Sequence, residues 1–574
     1  MALVAATLAG TTAAAAYLDA QFRIRKDLAY LYRMHSATQQ YAKAVRQNRA
    51  SNYYLFEQSA LTYPTTTCLW SRSGIYTWHE TSSLVNQYAS YFLSLGVRPG
   101  DLVALYLQNV PEYMFAWLGL LAIGCAPAMI NWNLGGEALV HCMRVAGAKV
   151  MVVNAEEGCR GRVEGVRERI EGKMGVRVVV LTEGVKAEIA GTPAERLGDE
   201  YREGVTGQSP VCLFYTSGTT GLPKAVRFTT QRNYIGVTLD STILPPRYDS
   251  YPGPHGATWY KSMPLYHGTG GITTLGLFLT GVTTALGLRF RTQTFWPDIH
   301  ASSSTHFTYV GETARYLLAA PPSPLDTTHR VHCIFGNGMR PDVWTRFQTR
   351  FAIPCIAEFF ASTEGLFATL NHSRNPHSAH AVGHHGLLLR LLTHNTYVPV
   401  ATDPVSGAIA RDPTTGFATR LPYARGGEIL VAVPSPAAFP GYYNAPEATA
   451  RKFARDVFRT GDLYYRTGDA LRRDHLGRWF FLDRLGDTYR WKSENVSTAE
   501  VAAALGAFPG IVEANVYGVE VPGHEGRAGC AAVVVEAGVE VDWVAVARFV
   551  RERLPGYAVP VFVRVVGGGG TWGP

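Results

Sequence analysis

Residues 212–228, CLFYTSGTTGLPKAVRF, combine hydroxyls, freely turning backbone and one mobile cation. Thr216, Ser217, Thr219 and Thr220 supply hydroxyl donors, and Lys224 brings the charge. Gly218 and Gly221 let successive N–H groups turn toward a single anion. The apolar run Val211 to Tyr215 reads as a buried strand feeding the loop. The chemistry this suits is phosphate gripping. The spacing is not that of a Walker A loop, because Leu222 and Pro223 separate Gly221 from Lys224 and Ala225 follows the lysine. A flexible surface loop is the plain alternative, and the buried strand just before it argues against that.

Four further segments carry chemistry. In KSMPLYHGTGGITT (261–274), Tyr266 and His267 precede Gly268, Gly270 and Gly271, where a substrate can approach the backbone closely. In IFGNGMRPDVWTRF (334–347), Gly336 and Gly338 leave room for a flat ring against the backbone. In EFFASTEG (358–365), Glu364 is a carboxylate of the kind Mg²⁺ takes beside phosphate oxygens, and Thr363 is a phosphate donor. T-G-D occurs at 460–462 and at 467–469. The second is preferred, since Asp469 precedes Asp483 and Arg484 by a hairpin-like segment. A carboxylate there suits two sugar hydroxyls, with Arg484 finishing the clamp.

YTSGTTGLPK resembles the signature of the adenylate-forming superfamily, which includes acyl-CoA synthetases, peptide-synthetase adenylation domains and luciferases. FFASTEG is similar to its aromatic-G-x-T-E motif, with Ala361 where glycine is usual. DRLGDTYRWKSENVSTAEV (483–501) and EANVYGVEVPGHEGRAG (513–529) resemble one branch, the fatty acid transport proteins or very-long-chain acyl-CoA synthetases, with Ser493 where glycine is usual. The resemblance runs from about residue 50 to 565. It implies a fatty acid–CoA ligase using ATP, Mg²⁺ and CoA: a fatty carboxylate attacks the α-phosphorus, and CoA then displaces AMP. It also implies roles. Thr216 to Gly221 and Lys224 would hold the β- and γ-phosphates, Thr363 the α-phosphate and Glu364 Mg²⁺. Gly336 would lie against adenine, while Asp469 and Arg484 hold ribose. Tyr266, His267 and Gly270 would flank the acid, and a lid would turn about Gly486 and Asp487. The family's last shared segment normally carries a lysine for adenylation. No lysine follows Lys492 here, so a truncated lid or weakened adenylation is expected.

The elements that position these groups alternate strand and helix, which argues for an α/β fold with parallel sheets. The sequence divides into an N-terminal segment (1–50), a large multi-sheet α/β domain (51–483) and a small α+β lid (484–574). Residues 1–18 carry no charged side chain, and basic residues follow, so residues 1–50 read as a membrane-associated segment with the remainder facing the cytosol. A net charge of +8 favours anionic partners, and no nucleic-acid motif is present. None of the eight cysteines forms a C-x-x-C pair, which suits reduced core thiols and a chain that is not secreted. A membrane fatty-acid uptake protein with little catalysis, and a ligase for a specialised-metabolite acid, are the alternatives. Acyl chain length and oligomeric state have no signature here.

Overall fold

The computed structural model describes residues 2–216, 222–239, 257–403, 407–485, 489–491, 494–522 and 527–566. The expected site residues Ser217, Gly218, Thr219, Thr220, Gly221, Gly486 and Asp487 lie outside the described residues.

Two sheets stack to form the large domain. In the six-stranded sheet, Arg177–Leu181, Val150–Asn154, Leu102–Tyr106, Ala126–Met129 and Pro210–Thr216 run parallel, and Lys224–Thr229 closes the edge antiparallel. In the eight-stranded sheet the parallel interior includes Thr258–Lys261, His306–Val310, Cys333–Asn337 and Ile356–Ala361. Strands covered on both faces read as continuous apolar runs, as in Leu102–Tyr106 and Val150–Asn154.

The helix Pro111–Ala122 lies between the sheets. Proline takes its first position, and every residue but Glu112 is buried. Its Met114, Trp117 and Leu118 share one apolar cluster with Val103 and Leu105 of one sheet and Leu69 and Leu286 of the other. The helix Trp78–Ser94 starts on a reciprocal cap: Glu80 N–H donates to Thr77 Oγ1 at 3.2 Å, and Thr77 N–H donates to Glu80 Oε2 at 2.7 Å.

A third, antiparallel sheet contains Tyr397–Val400, Gly427–Ala432, Leu463–Arg473 and Arg478–Arg484. Beyond it the small C-terminal domain packs the helices Thr498–Gly506 and Trp543–Arg551 on the sheet Ile511–Glu520, Arg527–Val535 and Phe562–Val566.

In the N-terminal segment the basic helix Ile24–Arg46 packs one face on the protein, with Asp27, Ala37, Tyr41 and Ala44 buried. Asp27 accepts the N–H groups of Gly386 and Leu389, each at 2.9 Å, at the start of the helix Leu387–Leu392. Lys26 Nζ donates to His384 O at 2.7 Å. Tyr41 meets Tyr234 edge-on at 5.3 Å. Among the described residues no helix is long and apolar enough to cross a membrane.

Asp27→Ala orphans one buried and one half-buried N–H group and should cost about 1–3 kcal/mol. Thermal unfolding should show a lowered Tm, and limited proteolysis should cut earlier near residues 20–30. An unchanged Tm would mean that the docked helix adds no stability.

Candidate functional site

Four strands of two sheets end at one cavity of about 1200 Å³. Thr216, Val310, Asn337 and Ala361, each the last residue of its strand, all line it. The crevice outside the carboxyl ends of parallel strands is where α/β sheets leave backbone N–H groups free for ligands. The third sheet supplies the opposite wall with Glu428, Arg466, Asp469 and Arg484.

Lys224 opens the edge strand directly opposite Thr216, so both sit at the mouth of the hairpin. Its ammonium stands 5.5 Å from the centre of the Tyr442 ring. The Tyr442 hydroxyl donates to Glu364 Oε1 at 2.6 Å. Burial, then Glu364, pushes the Tyr442 phenol far above its ordinary pKa, so it stays a donor. The Thr363–Glu364 turn is clamped from beneath, where Arg232 donates to Thr363 O at 2.8 Å and packs over Phe228 at 4.1 Å. Arg232 opens to the cavity but has protein on its other sides. Burial lowers its pKa to about 10, which leaves it charged at neutral pH. Gly365, at φ +69°, lies where any Cβ would strike that guanidinium.

Asp469 and Arg484 face each other across two strands, with Arg484 Nε 3.3 Å from Asp469 Oδ1. Burial raises the Asp469 carboxyl to about 6, while Arg484 opposes the shift. The Arg484 side chain is 68% exposed, so water screens the pair. Behind them the wholly buried Glu428 carboxylate takes Arg466 at 2.6 Å and the Gly468 N–H at 3.1 Å, fixing the turn that presents Asp469. The other T-G-D is a structural turn: Asp462 accepts the N–H groups of Val457, Phe458 and Arg459 at 2.6–3.0 Å.

His267 precedes the helix Gly268–Thr280 and lines the cavity with Gly270. Water reaches its ring from the cavity, yet the protein around it lowers its pKa, leaving a neutral imidazole. Tyr266 lies buried behind it, ring centres 4.5 Å apart. Gly336 is not on the wall. Its neighbours Phe335 and Asn337 are, while a Cβ at 336 would stand 2.1 Å from Tyr309 O. On its Cβ side the adjacent strand leaves no room for a side chain.

Thr216, Lys224, His267, Gly270, Thr363, Glu364, Asp469 and Arg484 thus converge on one cavity. Sequence reading missed Arg232, Tyr442, Glu428 and Arg466. Only Arg232 left a signal, a cation one strand length after Lys224. Among the described residues no group of three or more His, Cys, Asp or Glu side chains is placed to hold a metal. Glu364, with its Oε2 not taken by Tyr442, fits the single-carboxylate mode in which Mg²⁺ binds mainly through phosphate and water oxygens.

Replacing Arg232 by Met removes the clamp under residues 362–365. Urea unfolding should show a loss of about 2 kcal/mol, and an unchanged midpoint would contradict the clamp.

Comparison with known proteins places these features. The family described as AMP-binding enzyme matches residues 56–443, and its C-terminal domain matches residues 500–568. The chain is 47% identical over 576 residues to "Isopenicillin N epimerase component 1" of Hapsidospora chrysogena, covering 99% of this chain and 88% of that protein. It is 36% identical over 579 residues to a "Very long-chain fatty acid transport protein" of Cochliobolus heterostrophus, covering 98% and 87%. It is 35% identical over 508 residues to the "Medium/long-chain-fatty-acid--CoA ligase FadD6" of Mycobacterium tuberculosis, covering 86% and 78%. Among solved structures, an anthranilate CoA ligase in complex with anthranoyl-AMP superposes with a TM-score of 0.72 at 17% identity, covering 90% of this chain and 93% of that one. That likeness speaks to the fold.

Proposed function

Because the chain belongs to the AMP-binding enzyme family, we propose that it is an ATP-dependent acid–CoA ligase working through an acyl-adenylate. The observation that carries this reading is the meeting of Lys224, Thr363, Glu364, Asp469 and Arg484 at one cavity. The acid's carboxylate oxygen attacks the α-phosphorus of ATP, and pyrophosphate leaves. The sulfur of CoA then attacks the acyl carbon, and AMP leaves.

The residues position and neutralise; none needs to become covalently bound. Lys224 meets the β- and γ-phosphates, and Thr363 donates to the α-phosphate. Asp469, when ionised, accepts both ribose hydroxyls. His267 is neutral and orients the acid's carboxylate by hydrogen bonding without cancelling its charge, so the carboxylate keeps its nucleophilicity. Mg²⁺ held at Glu364 would offset charge on the leaving pyrophosphate. Gly336 contributes strand packing behind the cavity wall, and the small C-terminal domain turns against the large one between the two steps.

Long- and very-long-chain fatty acids are the substrate class supported by the transport-protein and ligase relatives. The higher identity to the isopenicillin N epimerase component favours a second reading, a ligase for a specialised-metabolite acid. Attachment to a membrane surface is supported by Leu28 and Tyr32, which the docked basic helix Ile24–Arg46 leaves exposed.

Incubation with ATP, Mg²⁺, CoA and an acid panel, followed by mass spectrometry, should yield acyl-AMP and acyl-CoA. Lys224→Met should lower the rate roughly 10²–10³-fold. ATP bound but no acyl-AMP from any acid would overturn the reading.

The Asp469 carboxyl sets a pH dependence. It ionises at about 6, so nucleotide affinity should fall as pH drops through 6 and level off above it. Arg484→Met removes the stabilising cation and should move that midpoint upward. An unmoved midpoint would exclude Asp469 as the titrating group.

A further inference from the structure

Lys261, the last residue of the strand Thr258–Lys261, is completely buried. A buried ammonium costs several kcal/mol unless an anion compensates it. Among the described residues Lys261 forms no ion pair. Its Nζ meets only the hydroxyls of Thr273, at 2.7 Å, and Thr308, and lies 4.8 Å from the Trp259 ring centre. Thr308 also accepts the Trp259 indole N–H at 3.0 Å. Burial alone drives the lysine's pKa well below its usual value.

Thr273 connects this lysine to the cavity. It lies on the helix Gly268–Thr280, one turn after Thr269, and both line the wall beside His267. Thr273 donates to Thr269 O, and Thr269 donates to Asn337 Oδ1 at 3.1 Å; Asn337 lines the cavity too. A wall shaped only for an alkyl chain would present aliphatic side chains at these positions. Here Ile272, Phe335 and Phe359 give an apolar surface that is interrupted by a polar stripe with a lysine directly behind it.

We propose that the pocket takes a carboxylic acid bearing a second anionic group, a second carboxylate being the best match, and that Lys261 is the residue that selects it. Rotation of the Thr273 side chain exposes the amine to the cavity. The incoming carboxylate raises the basicity of the amine, which takes a proton from solvent to complete a charge-assisted pair. An acid without the second group finds the lysine satisfied by its two threonines and gains nothing from it. The inference rests on the acid-activating reading, with the reacting carboxylate at His267, and it specifies the substrate class.

Calorimetric titration of the full chain with matched α,ω-dicarboxylic and monocarboxylic acids of graded length tests it, in two buffers of different ionisation enthalpy at neutral pH. At one or more lengths the dicarboxylic acid should bind at least about tenfold tighter than its partner, with uptake of about one proton. Lys261→Met should bring the ratio near one and abolish the uptake. The uptake by the unmodified chain stands as evidence even if that variant does not fold. Equal affinities at every length, or uptake unchanged in Lys261→Met, would overturn the proposal. Titration needs no turnover, so the two readings fail separately. Dicarboxylic preference without acyl-AMP from any acid overturns the ligase reading alone. Acyl-AMP together with equal affinities overturns the Lys261 assignment alone.

Discussion

The hydrogen bond from Tyr442 to Glu364 ties together parts of the chain that no local preference brings near each other. Tyr442 pairs with Val226 as an antiparallel bridge, and the Tyr443 N–H donates to Ala225 O at 2.7 Å. The segment therefore continues the edge of the six-stranded sheet. Glu364 follows the strand Ile356–Ala361 of the eight-stranded sheet. The phenol spans the two, and the Lys224 ammonium lies near its ring. Cation, aromatic face and carboxylate are thereby held in one fixed arrangement. Arg232 secures the same turn from the other side.

Charge around this bridge is managed by burial as much as by pairing. The same desolvation that raises the Asp469 pKa lowers those of His267 and Lys261. Glu428 pairs with Arg466 and accepts a backbone N–H, and its task is to fix the Gly468 turn. The result is a cavity lined by the cations Lys224, Arg232 and Arg484, with the titratable groups Asp469 and His267 on different walls.

Much of the scaffold was legible because buried parallel strands are written as apolar runs and helix starts as proline or a Thr-x-x-Glu box. Pro111 and the Thr77–Glu80 pair stand at the starts of the helices Pro111–Ala122 and Trp78–Ser94. Spacing was enough to prefer Asp469 over Asp462, since only Asp469 is followed at hairpin distance by a partner arginine. Tyr442 was illegible, as its partner lies 78 residues away and its own neighbourhood is an irregular loop. Lys261 was hidden in KSMPLYH because strand alternation does not say which side of a two-sided sheet a cation faces. Gly336 is required for packing, since Tyr309 leaves no room for a Cβ there. The N-terminal helix was foreseen, but its docking rests on Asp27 capping a helix about 360 residues away.

The central claim is that a carboxylate attacks the α-phosphorus of ATP in this cavity. Supplying an accepted acid labelled with ¹⁸O in its carboxyl group, with unlabelled ATP and CoA, tests it directly by mass spectrometry of the products. Attack at the α-phosphorus leaves one labelled oxygen on AMP after the thioester forms. AMP carrying no label, with the label instead in phosphate or retained in the acid, would contradict the account.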